Sequence, residues 1–186
     1  MPEIKGVLLN AWAGLLKERY GQEAVEKAIA GLKPEDRLQA GKVLLDSNWY
    51  PYEMLHLMRK VTRGLATAAD TDLSEKIGQM MAQRAFGGVY RSLLAKTPAK
   101  QAEKFTSISD FFFKDTYQLK TSVEGNSCTT TYNYHPQATP TRAICHSLEA
   151  FWKKTFEMCG AEGVQSSHPE CVTSGAKSCV FKFTWK

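Results

Sequence analysis

The chain has 186 residues, 43% of them hydrophobic and 23% charged, with a formal net charge of +5 at pH 7. That is enough apolar material for one domain with a sizeable core. No apolar run approaches the roughly 18–20 residues of a membrane-spanning helix, and the N-terminus lacks a signal-peptide pattern. Basic residues are spread among acidic ones, which argues against a nucleic-acid-binding face. The composition predicts a single cytoplasmic domain over residues 1–186 that binds neither membrane nor nucleic acid.

The first part of the chain, to about residue 115, has helical periodicity. Apolar residues recur at helical spacing over 6–19, and Tyr20-Gly21 ends this helix because glycine is the usual C-terminal stop. Four helix breaks or helix N-terminal caps follow before the pattern changes from helical spacing to strand signals. They predict helices over about 23–32, from Pro34 onward, over about 54–65, from Asp72 to about Lys96, and over 99–113.

Residues 116–186 carry strand signals around one further helix. Residues 117–123 and 128–134 are rich in β-branched and aromatic residues and flank a turn, which predicts an antiparallel hairpin. Helical spacing returns over 143–159, and two strands are expected at 164–168 and 179–185. The predicted fold class is α+β: a helical N-terminal half packed on a four-stranded antiparallel sheet, with one helix between its two hairpins.

Four of the five cysteines lie in the last quarter of the chain. Three of them form a spaced set with one histidine, Cys145-x22-His168-x2-Cys171-x7-Cys179. Zinc prefers four nitrogen and sulfur ligands in a tetrahedron, and these four residues supply such a set. The spacing alone leaves other interpretations open. Cys145 could be an ordinary buried thiol, Cys171 and Cys179 could oxidise across their hairpin, and His168 could lie on the surface.

The stretch from His168-Pro-Glu-Cys171 to Cys179-Val-Phe resembles the closing signature of the 4-vinyl-reductase-type small-molecule-binding domains. Sensor domains of phenol-responsive bacterial transcription activators belong to that group. The resemblance implies a structural zinc bound by Cys145, Cys171, Cys179 and a fourth residue, which is Glu in those sensors. Here His168 stands in that place, and Glu170 is the alternative.

The opening Ile4-Lys5-Gly6, followed by a helix and Tyr20-Gly21, resembles that of the haem-dependent nitric oxide/oxygen-binding (H-NOX) domains, which share the same broad fold. That family uses a proximal histidine on a helix before the sheet. The histidines of this chain, at positions 56, 135, 146 and 168, all lie outside residues 95–125, where the resemblance places it. The stretch Tyr134–Arg142 stands at the family's propionate-binding motif, without its serine and with its arginine displaced. Haem therefore ranks behind zinc as the expected cofactor.

The sequence favours a sensor over an enzyme. It contains no GxGxxG after a strand and no P-loop, and a zinc closed by four protein ligands has no open position for a substrate. The main hypothesis is a sensory or binding domain for a hydrophobic small molecule, which signals through a homodimer or a separate partner. The alternatives are a haem-based gas sensor and a dimeric protein-interaction module.

A ligand would lie between the helices and the sheet, in a mostly apolar pocket. Phenol itself is not favoured, because the phenol sensors hold the hydroxyl with a His and a Trp, and residues 97–127 contain neither. The alternative for every lining candidate is simple core packing. The candidates are Met80, Met81, Phe86, Tyr90, Phe111, Phe112, Tyr117, Tyr132 and Trp152.

Overall fold

The computed structural model describes residues 1–88 and 90–186. The helical half contains, in chain order, β1 (Glu3–Lys5), α1 (Gly6–Tyr20), α2 (Gln22–Ala30), α3 (Pro34–Ala40), β2 (Trp49–Pro51), α4 (Glu53–Leu65), α5 (Leu73–Gly87), α6 (Pro98–Glu103) and α7 (Phe105–Phe112). The remaining elements are β3 (Phe113–Lys114), β4 (Tyr117–Glu124), β5 (Ser127–Tyr134), α8 (Arg142–Met158), β6 (Gln165–Glu170) and β7 (Cys179–Thr184). This order confirms the predicted α+β class.

The main sheet has four antiparallel strands in the order β4-β5-β7-β6. Strands β4 and β5 form a hairpin whose register runs from Tyr117 opposite Tyr134 to Glu124 opposite Ser127. Side chains alternate across each strand, so that Phe181 and Phe183 of β7 are fully buried while Lys182 between them is exposed. One face of the sheet therefore packs on the helices and the other faces solvent.

A second, three-stranded sheet in the order β2-β1-β3 was not expected from the sequence. Its strands have only two or three residues each, which is too short for an alternating pattern to show. Strand β1 is antiparallel to both neighbours and pairs Ile4 with Phe113. This pairing joins the N-terminus to the end of α7, and it explains why α7 stops at Phe112.

Two predicted helices have different bounds in the structure. The helix expected to reach Lys96 ends at Gly87, before a second glycine, and Arg91–Leu93 forms a single 3₁₀ turn. Val89 lies outside the described residues. The helix expected over 99–113 is divided into α6 and α7, with Lys104 between them.

Helix α8 packs closely against α5 because Gly78 has no side chain. A Cβ atom at this position would lie 2.1 Å from the carbonyl oxygen of Ser147. The Ser147 hydroxyl also donates a hydrogen bond to the carbonyl of Ser74 across the interface, at 2.8 Å. The contact fixes the first half of α8 between α5 and the sheet.

The space between α7, α8 and the main sheet is filled by aromatic side chains. Phe105 of α7 stacks on Trp152 of α8 with ring centroids 3.7 Å apart, and both side chains are fully buried. Phe156 and Phe183 continue this packing towards the end of the sheet. Within the described residues, no helix has both the length and the apolar character needed to cross a bilayer.

Candidate metal centre and ligand cavity

The first turn of α8 positions Cys145. The Thr141 hydroxyl caps this helix by accepting a hydrogen bond from the backbone N–H of Ile144. Cys145 is fully buried in this first turn of the helix.

The hairpin of β6 and β7 positions the other three residues. His168 lies in β6 at an irregularity of register between Ser167 and Glu170, and such bulges re-aim side chains. Cys171 follows the strand, and Cys179 is the first residue of β7. The loop between them turns at Gly175, whose φ of 91° is a left-handed conformation that glycine adopts without strain.

The four side chains predicted as ligands lie together. Their ligating atoms are all within 4.8 Å of one another. Each of the three pairs among the Sγ atoms of Cys145, Cys171 and Cys179 is 3.9 Å apart. A tetrahedral zinc with Zn–S bonds of about 2.3 Å has S–S edges of about 3.8 Å. The spacing fits a shared metal ion, whose presence stays a prediction. Glu170, the alternative ligand, is exposed and outside this cluster.

The His168 imidazole has unsatisfied polar atoms. Both ring nitrogens are buried and find no hydrogen-bond partner among residues 1–88 and 90–186. The ring is held by stacking on Phe181, with centroids 4.0 Å apart. A buried polar atom without a partner costs about 1–3 kcal/mol, so an imidazole in this environment is well suited to ligate a metal.

The surroundings of the thiols favour a thiolate. The Cys145 thiol lowers the pKa of Cys179 to about 4 by hydrogen bonding to its thiolate, while the same contact raises the pKa of Cys145. The backbone N–H of Val172 also donates to the Cys179 Sγ at 3.5 Å. Such outer contacts orient the thiolates that zinc requires.

An apolar cavity of about 20 Å³ lies next to this cluster, between the helical half and the sheet. Burial raises the pKa of Tyr52 and Tyr134, which both line this cavity, and Ile144, next to Cys145 in α8, lines it as well. The cavity is lined by Trp12, Tyr52, Leu55, Met81, Phe113, Tyr117, Tyr134, Ile144, Ser147, Leu148 and Phe151.

A larger, open groove of about 810 Å³ lies outside the cavity, between the N-terminus, β3 and the end of β5. Its walls combine apolar and aromatic surface with polar side chains, among them Asp110, Gln118, Asn133 and Gln137. Three aromatic side chains, Phe113, Tyr117 and Tyr134, border both the groove and the cavity.

Of the lining residues predicted from the sequence, Met81 and Tyr117 border the cavity. Phe86, Phe112, Tyr132 and Trp152 are buried in the core around it, and Met80, Tyr90 and Phe111 are partly buried against that core. The sequence reasoning missed the contributions of α1 and α4, namely Trp12, Tyr52 and Leu55. Trp12 lies within the predicted helix over 6–19, and Tyr52 and Leu55 lie around the start of the helix predicted over about 54–65, where no periodic pattern marks a cavity residue.

Solved structures of H-NOX proteins share this fold over nearly its whole length. A protein from S. oneidensis in the Fe(II)NO ligation state has a TM-score of 0.73 at 13% sequence identity, covering 98% of this chain and 99% of its own. The Fe(II) unliganded H-NOX protein from K. algicida has a TM-score of 0.66 at 19% identity, covering 98% and 97%. A structure solved to probe heme distortion in the H-NOX family has a TM-score of 0.69 at 11% identity, covering 98% and 95%.

The chain therefore has an H-NOX-like fold, as the resemblance of its opening residues suggested. No protein-family model matches the sequence, and neither does any curated protein. The 4-vinyl-reductase-type resemblance stays an interpretation of the C-terminal motif.

Haem is named for one of these similar structures. The side chains of this chain do not fit a histidine-ligated haem between the helices and the sheet. Helices α6 and α7, before the main sheet, contain no histidine, and His135 lies exposed on the surface. The cavity of about 20 Å³ is far below the roughly 300–1,000 Å³ of a small-molecule pocket.

Proposed function

We propose that the chain is a small-molecule sensor or binding domain of H-NOX-like fold, with a structural zinc bound by Cys145, His168, Cys171 and Cys179. The observation that carries the zinc is the closed tetrahedral set, with three equal Sγ–Sγ distances and an unsatisfied imidazole. The ligand would enter between the helical half and the sheet. The full-length similarity to gas-sensing H-NOX structures supports the sensory role.

The zinc would have a structural role. A zinc with four protein ligands keeps no position open for a substrate, which supports a role other than catalysis. It would join the start of α8 to the β6–β7 hairpin, and so fix one side of the cavity. A reducing compartment such as the cytoplasm suits a site built from three thiols.

A haem-based gas sensor is the second candidate, and the similarity to H-NOX structures favours it over a binding domain of unspecified ligand. The residues of this chain weigh against it, because the space is filled by aromatic packing and α6 and α7, the two helices directly before the main sheet, contain no histidine. We therefore propose that the ligand is an apolar organic molecule in place of haem. Binding of either ligand would be signalled through a second copy of the chain or through a separate signalling partner.

One pair of measurements on purified protein separates these candidates. Elemental analysis is expected to give one zinc per chain. Added hemin is expected to leave the protein with the Soret spectrum of free hemin and an unchanged melting temperature. A stoichiometric, shifted Soret band would establish the haem sensor instead, and the absence of zinc even after refolding with zinc chloride would remove the metal.

A further inference from the structure

The groove and the apolar cavity described above are neighbouring spaces separated by one layer of side chains. Among residues 1–88 and 90–186, both spaces are lined by Phe113, Tyr117 and Tyr134 alone. The groove alone has a volume of about 810 Å³, enough for a small organic molecule. Any movement within this layer would join the polar groove to the apolar interior.

Tyr134 is the member of this layer that can move at least cost. Its hydroxyl is buried and has no hydrogen-bond partner in the described part of the chain. The Tyr117 hydroxyl, by contrast, lies 2.6 Å from the Ser109 hydroxyl, and Phe113 has no polar group that would gain a hydrogen bond on moving. Rotation of Tyr134 therefore breaks no hydrogen bond, and it would allow the hydroxyl to gain one.

The inner cavity and the outer groove, through which a ligand would enter, are lined by chemically different side chains. The inner space is bordered by apolar side chains such as Leu55, Met81 and Leu148. The groove carries the side-chain amides of Gln118 and Asn133, together with that of Gln137.

The charges in the groove largely neutralise one another. Lys114 pairs with Glu3 at 3.0 Å, and the N-terminal ammonium lies 3.9 Å from Asp115. Asp110, exposed at the rim, is the remaining acidic group and disfavours an anion. A head group that is uncharged and forms hydrogen bonds suits this set of side chains best.

We infer that the groove and the cavity form one binding site for a neutral amphiphile, with Tyr134 as its gate. Because the cavity alone holds only about 20 Å³, the ligand lies mainly in the groove, where a hydroxyl or carbonyl head group binds the Tyr134 hydroxyl and the amides. The end of its apolar part reaches between α1, α4, α5 and α8 once Tyr134 turns aside. This inference rests on the proposed small-molecule function and specifies its ligand class.

Displacement of the neutral dye N-phenyl-1-naphthylamine tests this inference on the full chain. The dye is expected to bind with one site per chain and to be displaced by 1-decanol. Decanoate and decylamine have the same chain length with charged head groups, and each should compete at least about 10-fold more weakly. Equal competition by all three would overturn the neutral head group, and so would stronger competition by either charged compound.

Two matched pairs of variants test the location. Tyr134→Phe should weaken 1-decanol binding about 5-fold, the effect of one lost hydrogen bond, whereas Tyr132→Phe should change it less than 2-fold. The Tyr132 hydroxyl is also buried and without a partner among the described residues, but it lines neither space. Met81→Phe, which fills the cavity, should abolish dye binding, while Met80→Phe on the same helix should retain it.

Different results would overturn the assigned binding site and the proposed small-molecule function. Dye binding that is insensitive to Tyr134→Phe and Met81→Phe, in variants that melt as cooperatively as the parent, would overturn the assigned site. The small-molecule function would then stand, because a ligand still binds. If neither the dye nor any of the three ten-carbon compounds binds, both this inference and the non-haem form of the proposed function are wrong.

Discussion

The C-terminal cluster and the centre of the fold differ in how their polar atoms are arranged. In the cluster, three thiols and an imidazole converge with no carboxylate among them, and the imidazole nitrogens have no partner among the described residues. In the centre, aromatic rings stack on one another and leave a cavity of about 20 Å³. The first region has a complete ligand set, and the second has a packed core.

This difference shows that the backbone fold does not by itself determine which cofactor or ligand a protein binds. The chain matches H-NOX structures over 98% of its length, yet the identity is only 13–19% for the two named proteins. A likeness at that level defines the path of the chain, whereas the side chains decide what it binds. On that basis we propose a metal at the C-terminal end and an organic ligand, in place of haem, at the centre.

Loss of the metal should have the largest effect. Zinc binding contributes roughly 10–16 kcal/mol to small zinc domains, and even half of that would dominate the stability of one domain. Cys179→Ser, or a strong chelator added to the unaltered protein, should lower the melting temperature by about 10 °C or more. Circular dichroism and elemental analysis would follow the change.

Cys159→Ser is the control for this variant. Cys159 is also buried, but it lies near Gln101 and outside the cluster, and a serine hydroxyl can make the same contact with the Gln101 side chain. Its zinc content should be that of the parent. If Cys179→Ser and Cys159→Ser have equal zinc content and equal melting temperatures, the cluster does not hold a metal.

Opening the packed centre should have the second-largest effect on stability. Phe105→Ala removes a fully buried ring from its stack on Trp152 and should cost about 3–5 kcal/mol in the free energy of unfolding. Phe111→Ala removes a partly buried ring and should cost markedly less. Urea denaturation would measure both. Similar small losses for the two variants would show that the centre is not tightly packed.

A methyl group at Gly78 should disturb the wall of the cavity. Gly78→Ala places its Cβ 2.1 Å from the Ser147 carbonyl oxygen and should cost about 1–3 kcal/mol by overpacking the contact between α5 and α8. Gly14→Ala on α1 meets no atom within 4 Å and should instead stabilise the protein by up to about 1 kcal/mol. Thermal unfolding of both variants checks the sign, and a neutral Gly78→Ala would contradict the close contact.

The smallest effect on stability is expected for the partly buried ion pair of Arg19 and Asp70, which belongs to neither the C-terminal cluster nor the packed centre. The backbone N–H of Thr67, together with Arg19, lowers the pKa of Asp70 well below its usual value of 3.8. The carboxylate therefore stabilises the fold above about pH 4, and this contribution is lost as the pH falls through the lower folded-state pKa.

Asp70→Asn should accordingly lower the melting temperature slightly at pH 7. The difference from the parent should shrink below about pH 4. Glu162→Gln, at an exposed carboxylate, serves as the matched control. A difference that persists unchanged at pH 2 would contradict the ionic origin.

The sequence predicted those parts of the fold that have strong local signals. Gly21, with a φ of 85°, ends α1 as expected, and the alternation in residues 117–134 became a hairpin. The small sheet could not be predicted, because β1 pairs only with strands that are distant in the sequence, β2 on one side and β3, more than a hundred residues away, on the other. For the same reason Tyr52 and Leu55 were missed as cavity residues, since their position depends on how α4 packs.

The cysteine and histidine spacing indicated which side chains meet, because two of the intervals are short and lie on one hairpin. What those residues bind could not be derived from the spacing, since buried thiols and metal ligands share the same pattern. The sequence also left open whether the centre is a ligand pocket or a packed core. Aromatic stripes predict burial equally well in a ligand pocket and in a packed core.

Native mass spectrometry of the purified protein tests the central claim most directly, because it reports metal, retained ligand and subunit count together. We predict a chain of 20.8 kDa that carries one zinc and, where a ligand is retained, a neutral organic molecule smaller than haem. The same zinc should be missing from Cys179→Ser. A chain that carries haem, or one that never carries zinc, would contradict the account.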